Sequence, residues 1–202
     1  HKRLLADTVT PVSLYLKLRD HFAYPMLLES SDYHGNENPL SIIGLDPFAE
    51  FKIQNGEAVY SNRGIVQATI KLGEGKANGQ TPEAEVSTLL ANFLVDHQSW
   101  PDDLPIPELG AFGYQSYDMV RHYEKVSIGT YEDDERRTPD MWYMLYRYLI
   151  VINHFHNEMY LVEYEVDGNS RPEQIETLIN SQSLPQYNFD VKGTEGANMT
   201  DE

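Results

Sequence analysis

The stretch MWYMLYRYLIVIN, residues 141–153, consists almost entirely of aromatic and aliphatic side chains. A second stretch of this kind, residues 159–166, follows the four residues HFHN at 154–157. Aromatic and β-branched side chains favour strands, and a short polar segment between two such stretches indicates a hairpin. We therefore predict a hairpin in the centre of an antiparallel sheet.

Further strands are predicted upstream of this central hairpin. Asn55-Gly56 gives the strongest signal among them, because an Asn-Gly pair fits the two-residue turn of a tight hairpin. Apolar residues flank this turn on both sides, and the polar residues 34–39 separate two earlier apolar stretches. The predicted strands are residues 25–31, 40–45, 48–53 and 58–61.

Three helices are predicted outside these strands. Thr10-Pro11 and Thr81-Pro82 are good helix starts, because a threonine hydroxyl caps free amides and proline is tolerated in the first turn. The first helix is predicted to extend to about residue 22, and a last helix covers residues 172–180. The side chains predicted to face the core are Val12, Tyr15, Leu16, Arg19 and Phe22 in the first helix and Val86, Leu89, Leu90, Phe93 and Leu94 in the second.

The order of these elements determines the predicted fold class. Strand pairs stand apart from the helices, without strict alternation of strand and helix, which favours an α+β domain with a mainly antiparallel sheet and a few flanking helices. With 202 residues, of which 41% are hydrophobic, the chain is long enough to build a packed core.

The charge of the chain excludes several classes of partner. The formal net charge is −17, so the chain lacks the clustered Lys and Arg with which proteins bind nucleic acids or anionic membranes. The longest apolar stretch is interrupted by Arg147 and Asn153 and is too short to span a bilayer as a helix. The chain has no cysteine. We therefore expect a soluble protein that binds neither nucleic acid nor membrane, and we place it in the cytoplasm.

The residues alone do not reveal a catalytic or metal centre. His154 and His156 would point to the same side of a strand, but no third ligand accompanies them, which favours a solvated turn. The acidic run at residues 132–135 lacks the glycine of a calcium loop. Glu29 and Asp32 could serve as a pair of carboxylates, yet nothing places them in a cleft. From the residues we predict no catalytic residue and no metal site.

Four stretches, in this order, resemble the N-terminal domain of anthranilate synthase component I. The closing residues NMTDE, 198–202, are similar to the segment that opens the chorismate-binding domain of that family. Any single stretch is a loose pattern, but their order and spacing together make coincidence improbable. The four stretches are DTVTPVSLYLK (7–17), LLESS (27–31) leading to SIIGLDP (41–47), GAFGYQSYDMVR (110–121) and PDMWYMLY (139–146).

The resemblance implies a fold, an activity and partners for the full-length protein. Its family converts chorismate and ammonia to anthranilate and pyruvate with magnesium, and receives the ammonia from a glutamine amidotransferase, component II. Residues 1–187 would form the N-terminal regulatory domain, one half of the layered architecture of chorismate-utilising enzymes. Residues 188–202 would form a connector and the start of the chorismate-binding domain. The catalytic residues and magnesium ligands would follow residue 202, so this chain by itself would not be catalytic.

The resemblance also implies a feedback site for L-tryptophan on this chain. The residues that it assigns to this site are Leu28, Glu29, Ser30, Ser31 and Ser41. A strand with free backbone groups, a hydroxyl and apolar neighbours is suited to a zwitterionic amino acid with an apolar ring. Many relatives carry a basic residue near Leu40, and this chain does not, so we expect no charged contact to the tryptophan carboxylate at that point.

Tyr117 and Asp118 belong to the Gly-Tyr-x-x-Tyr-Asp part of the resemblance. We interpret that part first as structural packing, since closely spaced tyrosines usually bury their rings, and only second as part of the tryptophan site. Two alternatives for the whole chain remain. One is the N-terminal domain of aminodeoxychorismate synthase component I, which shares the architecture, and the other is a stand-alone amino-acid-binding module.

Overall fold

The computed structural model describes residues 1–29, 39–72, 82–97, 110–124, 126, 138–164, 167–185 and 193. The strands are β1 (Lys2–Leu5), β2 (Met26–Glu29), β3 (Leu40–Gln54), β4 (Glu57–Asn62), β5 (Ile65–Lys71), β6 (Phe112–Gln115), β7 (Met141–Asn153) and β8 (Glu158–Glu163). The helices are α1 (Pro11–Leu18), α2 (Pro82–Asp96), α3 (Val120–Tyr123) and α4 (Pro172–Asn180), and a single 3-10 turn covers Tyr117–Met119. The predicted turn at 34–39 lies outside the described residues except for Pro39.

The strands form one antiparallel sheet in the part of the chain that the structure describes. Its order is β1-β8-β7-β3-β4-β5, with β2 paired to the first half of β3 and β6 paired to the first half of β7. β3 and β7 pair along almost their whole length, from Leu40 opposite Asn153 to Ile53 opposite Met141. The predicted α+β class with a mainly antiparallel sheet is confirmed, and so is the hairpin at its centre.

The two strands predicted at 40–45 and 48–53 are one strand, β3, with a β-bulge. The register with β7 shifts between Pro47 and Ala49, so that β3 carries one extra residue at this point. Asp46 has a φ of 52°, a left-handed conformation that bends the strand there. The prediction of two separate strands was wrong, because the bulge lets one strand continue through Asp46 and Pro47.

Two of the core clusters combine helices with the sheet. α1 and α4 contribute Leu14, Leu18, Ile175 and Ile179 to the first, which contains Ile43, Leu45 and Tyr148 of the sheet. α2 contributes Val86 and Phe93 to the second, which contains Phe51, Ile53 and Met141. Leu89, Leu90 and Leu94 also pack there, as the predicted apolar face of the second helix requires. No described helix is long and apolar enough to cross a membrane.

The start of α1 was predicted correctly, but the helix ends at Leu18 and not near residue 22. Its buried face was predicted in part, since Tyr15 and Phe22 pack in the first core cluster as expected. Thr10 caps the helix, since its hydroxyl accepts a hydrogen bond from the Ser13 amide at 3.1 Å. The buried residues are Pro11, Leu14 and Leu18, whereas Val12 is 46% exposed. Lys17 donates hydrogen bonds to the carbonyl oxygens of Ile179 and Ser181. These two carbonyl groups lie at the C-terminal end of α4, where they lack partners within the helix. The packing of α4 against α1 thus helps to determine which face of α1 is buried.

A cluster of charged residues surrounds Arg147, which is only 8% exposed. Its guanidinium lies 2.9 Å from Asp167 Oδ1 and 3.6 Å from Glu163 Oε1. Arg63, in the turn between β4 and β5, lies 3.3 Å from Asp167 Oδ2. A hydrogen bond from the Asn169 amide, together with the two guanidinium groups, lowers the pKa of Asp167. We call Arg147, Glu163, Asp167 and Arg63 the Arg147 cluster.

Replacing Asp167 with asparagine is expected to weaken the dependence of stability on pH in acid. The lowered pKa means that folded Asp167 stays ionised below its ordinary value of 3.8, where the unfolded chain takes up a proton. The ionised carboxyl therefore contributes stability above that value, and this contribution is lost as the pH falls through the lowered pKa. The unfolding free energy, followed from about pH 5 downward, should fall less steeply in the variant. An unchanged slope would contradict this role of Asp167.

Candidate functional site

β2 presents two of the residues assigned to the tryptophan site. It pairs with β3 through Met26 opposite Gly44 and Glu29 opposite Ser41, and no described strand pairs with its other edge. Leu28 is 47% exposed and Glu29 is exposed. An unpaired strand edge offers alternate N–H and C=O groups for hydrogen bonding. This edge therefore combines backbone donors and acceptors with an apolar and an acidic side chain.

Ser30 and Ser31 follow β2 and lie outside the described residues, as does Asp32. Their assignment to the tryptophan site remains a prediction. The acidic run at 132–135 also lies outside the described residues. Within the part of the chain that the structure describes, no group of three His, Asp or Glu side chains comes together as a metal site. The described residues therefore do not fit magnesium, and we assign no step to a metal ion in them.

Ser41 occupies a different position from Leu28 and Glu29, because its side chain is completely buried. Its Oγ lies 2.7 Å from Nε2 of His154, within hydrogen-bond distance. Either group can be the donor, depending on which ring nitrogen of the histidine carries the proton. Ser41 thus lies in β3, opposite Glu29, with its side chain buried and its hydroxyl within hydrogen-bond distance of His154.

His154, which the sequence indicated as part of a solvated turn, is half-buried and contacts Ser41 near this site. It lies at the tip of the β7–β8 hairpin, where its amide donates a hydrogen bond to the carbonyl oxygen of Pro39 at 3.1 Å. The side chain of Asn153 accepts hydrogen bonds from the amides of Phe155 and His156 and thereby holds the tip together. His156 is exposed, so the two histidines have different surroundings.

A buried aromatic ring supports the start of β2. A Cβ atom on Gly44, which pairs with Met26, would lie 2.8 Å from ring atoms of Tyr146, so this close approach requires glycine. The Tyr146 hydroxyl donates to Sδ of Met144 at 3.5 Å. Burial, together with nearby Glu50, raises the pKa of Tyr146 to about 12. The ring is therefore uncharged at neutral pH and forms an apolar support.

Tyr117 and Asp118 follow β6, which pairs with a different part of the sheet from β2. β6, which precedes them, pairs Gln115 with Met141, whereas Ser41 pairs with Ile152. Met141 and Ile152 are eleven positions apart in β7. The pairing of the described strands therefore does not by itself place Tyr117 and Asp118 next to Leu28 and Glu29. A part for them in the tryptophan site remains a prediction.

The packing interpretation of this tyrosine stretch is wrong for Tyr117, which is 84% exposed. Tyr117 begins the 3-10 turn Tyr117–Met119, and Met119 is the residue of that turn that is buried. A single turn with three residues can direct only part of its side chains into the core, and Met119 takes that place. Asp118 is paired with Arg121 at 3.2 Å.

Comparison with known proteins gives a consistent result. The family described as chorismate binding enzyme matches residues 24–201. Anthranilate synthase component 1 of Acinetobacter calcoaceticus is 29% identical over 177 residues, which cover 86% of this chain and 33% of that protein. The corresponding protein of Thermus thermophilus is 29% identical over 163 residues, with coverages of 80% and 31%. The chain thus spans about a third of the length of these curated relatives.

Among solved structures, anthranilate synthase component I of Streptococcus pneumoniae is similar, with a TM-score of 0.43 and 26% sequence identity. The similarity covers 89% of this chain and 35% of that one. The resemblance to anthranilate synthase component I that the four stretches predict is confirmed by the sequence relatives.

Proposed function

Since this chain belongs to the family of chorismate binding enzymes, we propose that it is the N-terminal, regulatory part of an anthranilate synthase component I. The full-length protein would convert chorismate and ammonia to anthranilate and pyruvate, a lyase reaction in tryptophan biosynthesis. The observation that carries this proposal is the agreement between the family match over residues 24–201 and relatives that bear this name. The same agreement favours it over aminodeoxychorismate synthase.

We extend the proposal to the partners of the full-length protein. Residues 1–187 would be the regulatory domain, and residues 188–202 the connector to the part of the polypeptide that binds chorismate and magnesium. A glutamine amidotransferase, component II, would supply the ammonia, and the complex would work in the cytoplasm. The catalytic residues and magnesium ligands would belong to that following part of the polypeptide, so residues 1–202 would contribute no catalytic group.

L-Tryptophan would bind at the free edge of β2. The carboxylate of Glu29 is exposed and can accept hydrogen bonds from the ammonium group of an amino acid. Leu28, 47% exposed, offers apolar surface to the indole ring. Backbone N–H groups of the unpaired strand edge can donate to the amino-acid carboxylate. Ser30 and Ser31 continue the chain from this edge and would complete the site.

Inhibition by tryptophan would follow from unequal affinity for two conformations of the enzyme. Tryptophan inhibits only if it binds the less active conformation more tightly than the active one. Linkage then requires that chorismate weaken tryptophan binding by the same factor by which tryptophan weakens chorismate binding. An affinity for tryptophan that saturating chorismate leaves unchanged would exclude this mechanism.

The activity is tested on the full-length protein. Chorismate, ammonium and magnesium are supplied, and anthranilate is followed by its fluorescence with and without L-tryptophan. Anthranilate formation suppressed by tryptophan would support both parts of the proposal. Formation of anthranilate that tryptophan does not suppress would support the proposed activity but contradict the proposed regulatory role of the β2 edge. Absence of anthranilate would reject the proposal, and aminodeoxychorismate would then be the product to test for.

Replacing Glu29 with lysine is expected to relieve inhibition by tryptophan. The substitution removes the carboxylate proposed for the ligand ammonium and places a like charge beside it. Loss of one charge-assisted hydrogen bond should raise the tryptophan concentration for half-inhibition by about tenfold or more. The rate of each variant is normalised to its own rate without tryptophan.

Glu57→Lys is the matched control for this substitution. It makes the same change of charge at the beginning of β4, and β4 pairs with the half of β3 that β2 does not reach. Inhibition of this variant should equal that of the unmodified protein. Equal inhibition of the Glu29 variant would remove Glu29 from the tryptophan site.

A further inference from the structure

We infer that His154 is a positioning residue of the tryptophan site and acts through its hydrogen bond to Ser41. This inference rests on the proposed function, because it concerns the site that β2 would form. His154 does not contact the ligand in this scheme. It holds the part of β3 against which β2 is paired, so that Leu28 and Glu29 present a fixed edge.

The first support is the contact itself. Ser41 is a completely buried polar residue in the interior of a sheet, and its Oγ is 2.7 Å from Nε2 of His154. A buried hydroxyl that loses its partner is left without the hydrogen bonds that water would have given it. Ser41 and His154 are 113 residues apart in the sequence, so the contact joins two separate segments of the chain.

The second support is the place of Ser41 in the sheet. It pairs with Glu29 of β2 on one side and with Ile152 of β7 on the other. β2 has only four residues, so its register depends on few contacts. Leu28 and Glu29 are consecutive residues and point to opposite faces of the sheet, and a shift of one residue would turn each of them to the face that it does not occupy now. A bond that fixes Ser41 therefore bears directly on the orientation of the two proposed ligand contacts.

The third support is the rigidity of the hairpin tip that carries His154. Its amide is bonded to the carbonyl oxygen of Pro39, immediately before β3. The Asn153 side chain accepts two further hydrogen bonds, at 3.0 Å each, from the following turn. His154 is thus held by a hydrogen bond of its backbone amide and by the contact of its ring with Ser41. The β7–β8 tip, the start of β3 and the edge of β2 form one connected unit.

The experiment uses the full-length protein and compares five variants with the unmodified form. These are His154→Leu, Ser41→Ala, the double variant, His154→Gln and, as the matched control on the same hairpin tip, His156→Leu. The tryptophan concentration for half-inhibition is measured for each, normalised to its own rate without tryptophan. The KM for chorismate and the Tm are recorded in parallel.

Each single substitution that breaks the bond should raise the concentration for half-inhibition by roughly three- to tenfold. The double variant should be no worse than either single one, because both remove the same interaction. Glutamine can place an amide nitrogen near the position of Nε2 and should restore inhibition to near that of the unmodified protein. His156→Leu should leave inhibition unchanged.

Additive effects in the double variant, or failure of glutamine to restore inhibition, would overturn the inference. A fall in Tm without a change in inhibition would also overturn the inference, because the hydrogen bond would then contribute to stability and not to the tryptophan site. If tryptophan inhibits the unmodified protein normally but His154→Leu behaves likewise, the inference fails and the proposed function stands. If tryptophan does not inhibit the unmodified protein, the regulatory proposal and the inference fall together.

Discussion

Replacing Gly113 with alanine is expected to disrupt the pairing of β6 with β7. A Cβ atom at this position would lie 1.8 Å from the carbonyl oxygen of Trp142 and 2.8 Å from its carbonyl carbon. These are backbone atoms of the central strand β7, which cannot move aside as a flexible side chain would. Such overpacking should lower the unfolding free energy by about 3 kcal/mol or detach β6 altogether. Denaturant unfolding of the full-length protein measures this loss.

Gly110→Ala is the control for this prediction. Gly110 lies three residues earlier in the same segment, and a Cβ atom there would meet no atom within 4 Å. Its unfolding free energy should therefore stay close to that of the unmodified protein. A Gly113 variant as stable as the Gly110 variant would show that β6 does not lie against Trp142 as the structure has it.

Arg147→Met is expected to cause a second large loss of stability. Arg147 is 8% exposed and faces both Glu163 and Asp167, while Oε1 of Glu163 is itself buried without a hydrogen bond among the described residues. Methionine keeps much of the apolar stem but leaves the two carboxylates without their central cation. Removing one member of a fully buried ion pair costs about 3–5 kcal/mol, and because both carboxylates are 20% exposed we expect a loss toward the lower end of this range. The unfolding free energy at neutral pH measures the effect.

Arg63→Met is the control that removes an exposed arginine from the same carboxylate, Asp167. Arg63 also pairs with Asp167, at 3.3 Å, but its side chain is 52% exposed. Water and salt screen such a pair, so its loss should cost less than about 1 kcal/mol. Equal losses for the two variants would mean that burial of Arg147 contributes nothing to its role in the Arg147 cluster.

The sequence predicted those strands that are buried on at least one face. β7 and β8 were recognised from their aromatic and β-branched side chains, and the β3–β4 hairpin from Asn55-Gly56, both of which have positive φ. β5 was missed because all seven of its residues are exposed, so no buried face imposes an alternation. β1 and β6 were missed because each has four residues of which three are exposed, whereas β2, of the same length, begins with the three apolar residues Met-Leu-Leu.

Helix prediction succeeded where one partner surface determines the buried face. The apolar stripe of α2 meets the sheet, and Val86 and Phe93 are buried as predicted. α1 has two turns, and its orientation is determined jointly by the sheet and by α4, which lies 160 residues later in the sequence. The periodicity of eight residues cannot reveal a second neighbour of that kind, which is why Leu14 and Leu18 were overlooked.

The candidate site shows the same limit. Leu28 and Glu29 were assigned through a resemblance in sequence, and the structure adds that both are exposed on a strand edge. The burial of Ser41 and its bond to His154 depend on the pairing of β3 with β7, which joins residues more than a hundred positions apart. No local pattern encodes such a contact. It follows only once the register of the sheet is known.

The position of β1 has a consequence for biosynthesis of the protein. β1 is hydrogen-bonded only to β8 among the described strands, with Lys2 opposite Leu161 and Leu5 opposite Glu158. Ribosomes add about 5–20 residues per second, so β1 waits roughly 8–30 s after its own synthesis before its partner exists. During this interval β1 lacks the strand with which it pairs in the folded protein. Chaperones can shield an unpaired segment of this kind. Among the described strands, the first one translated is thus paired with the last one.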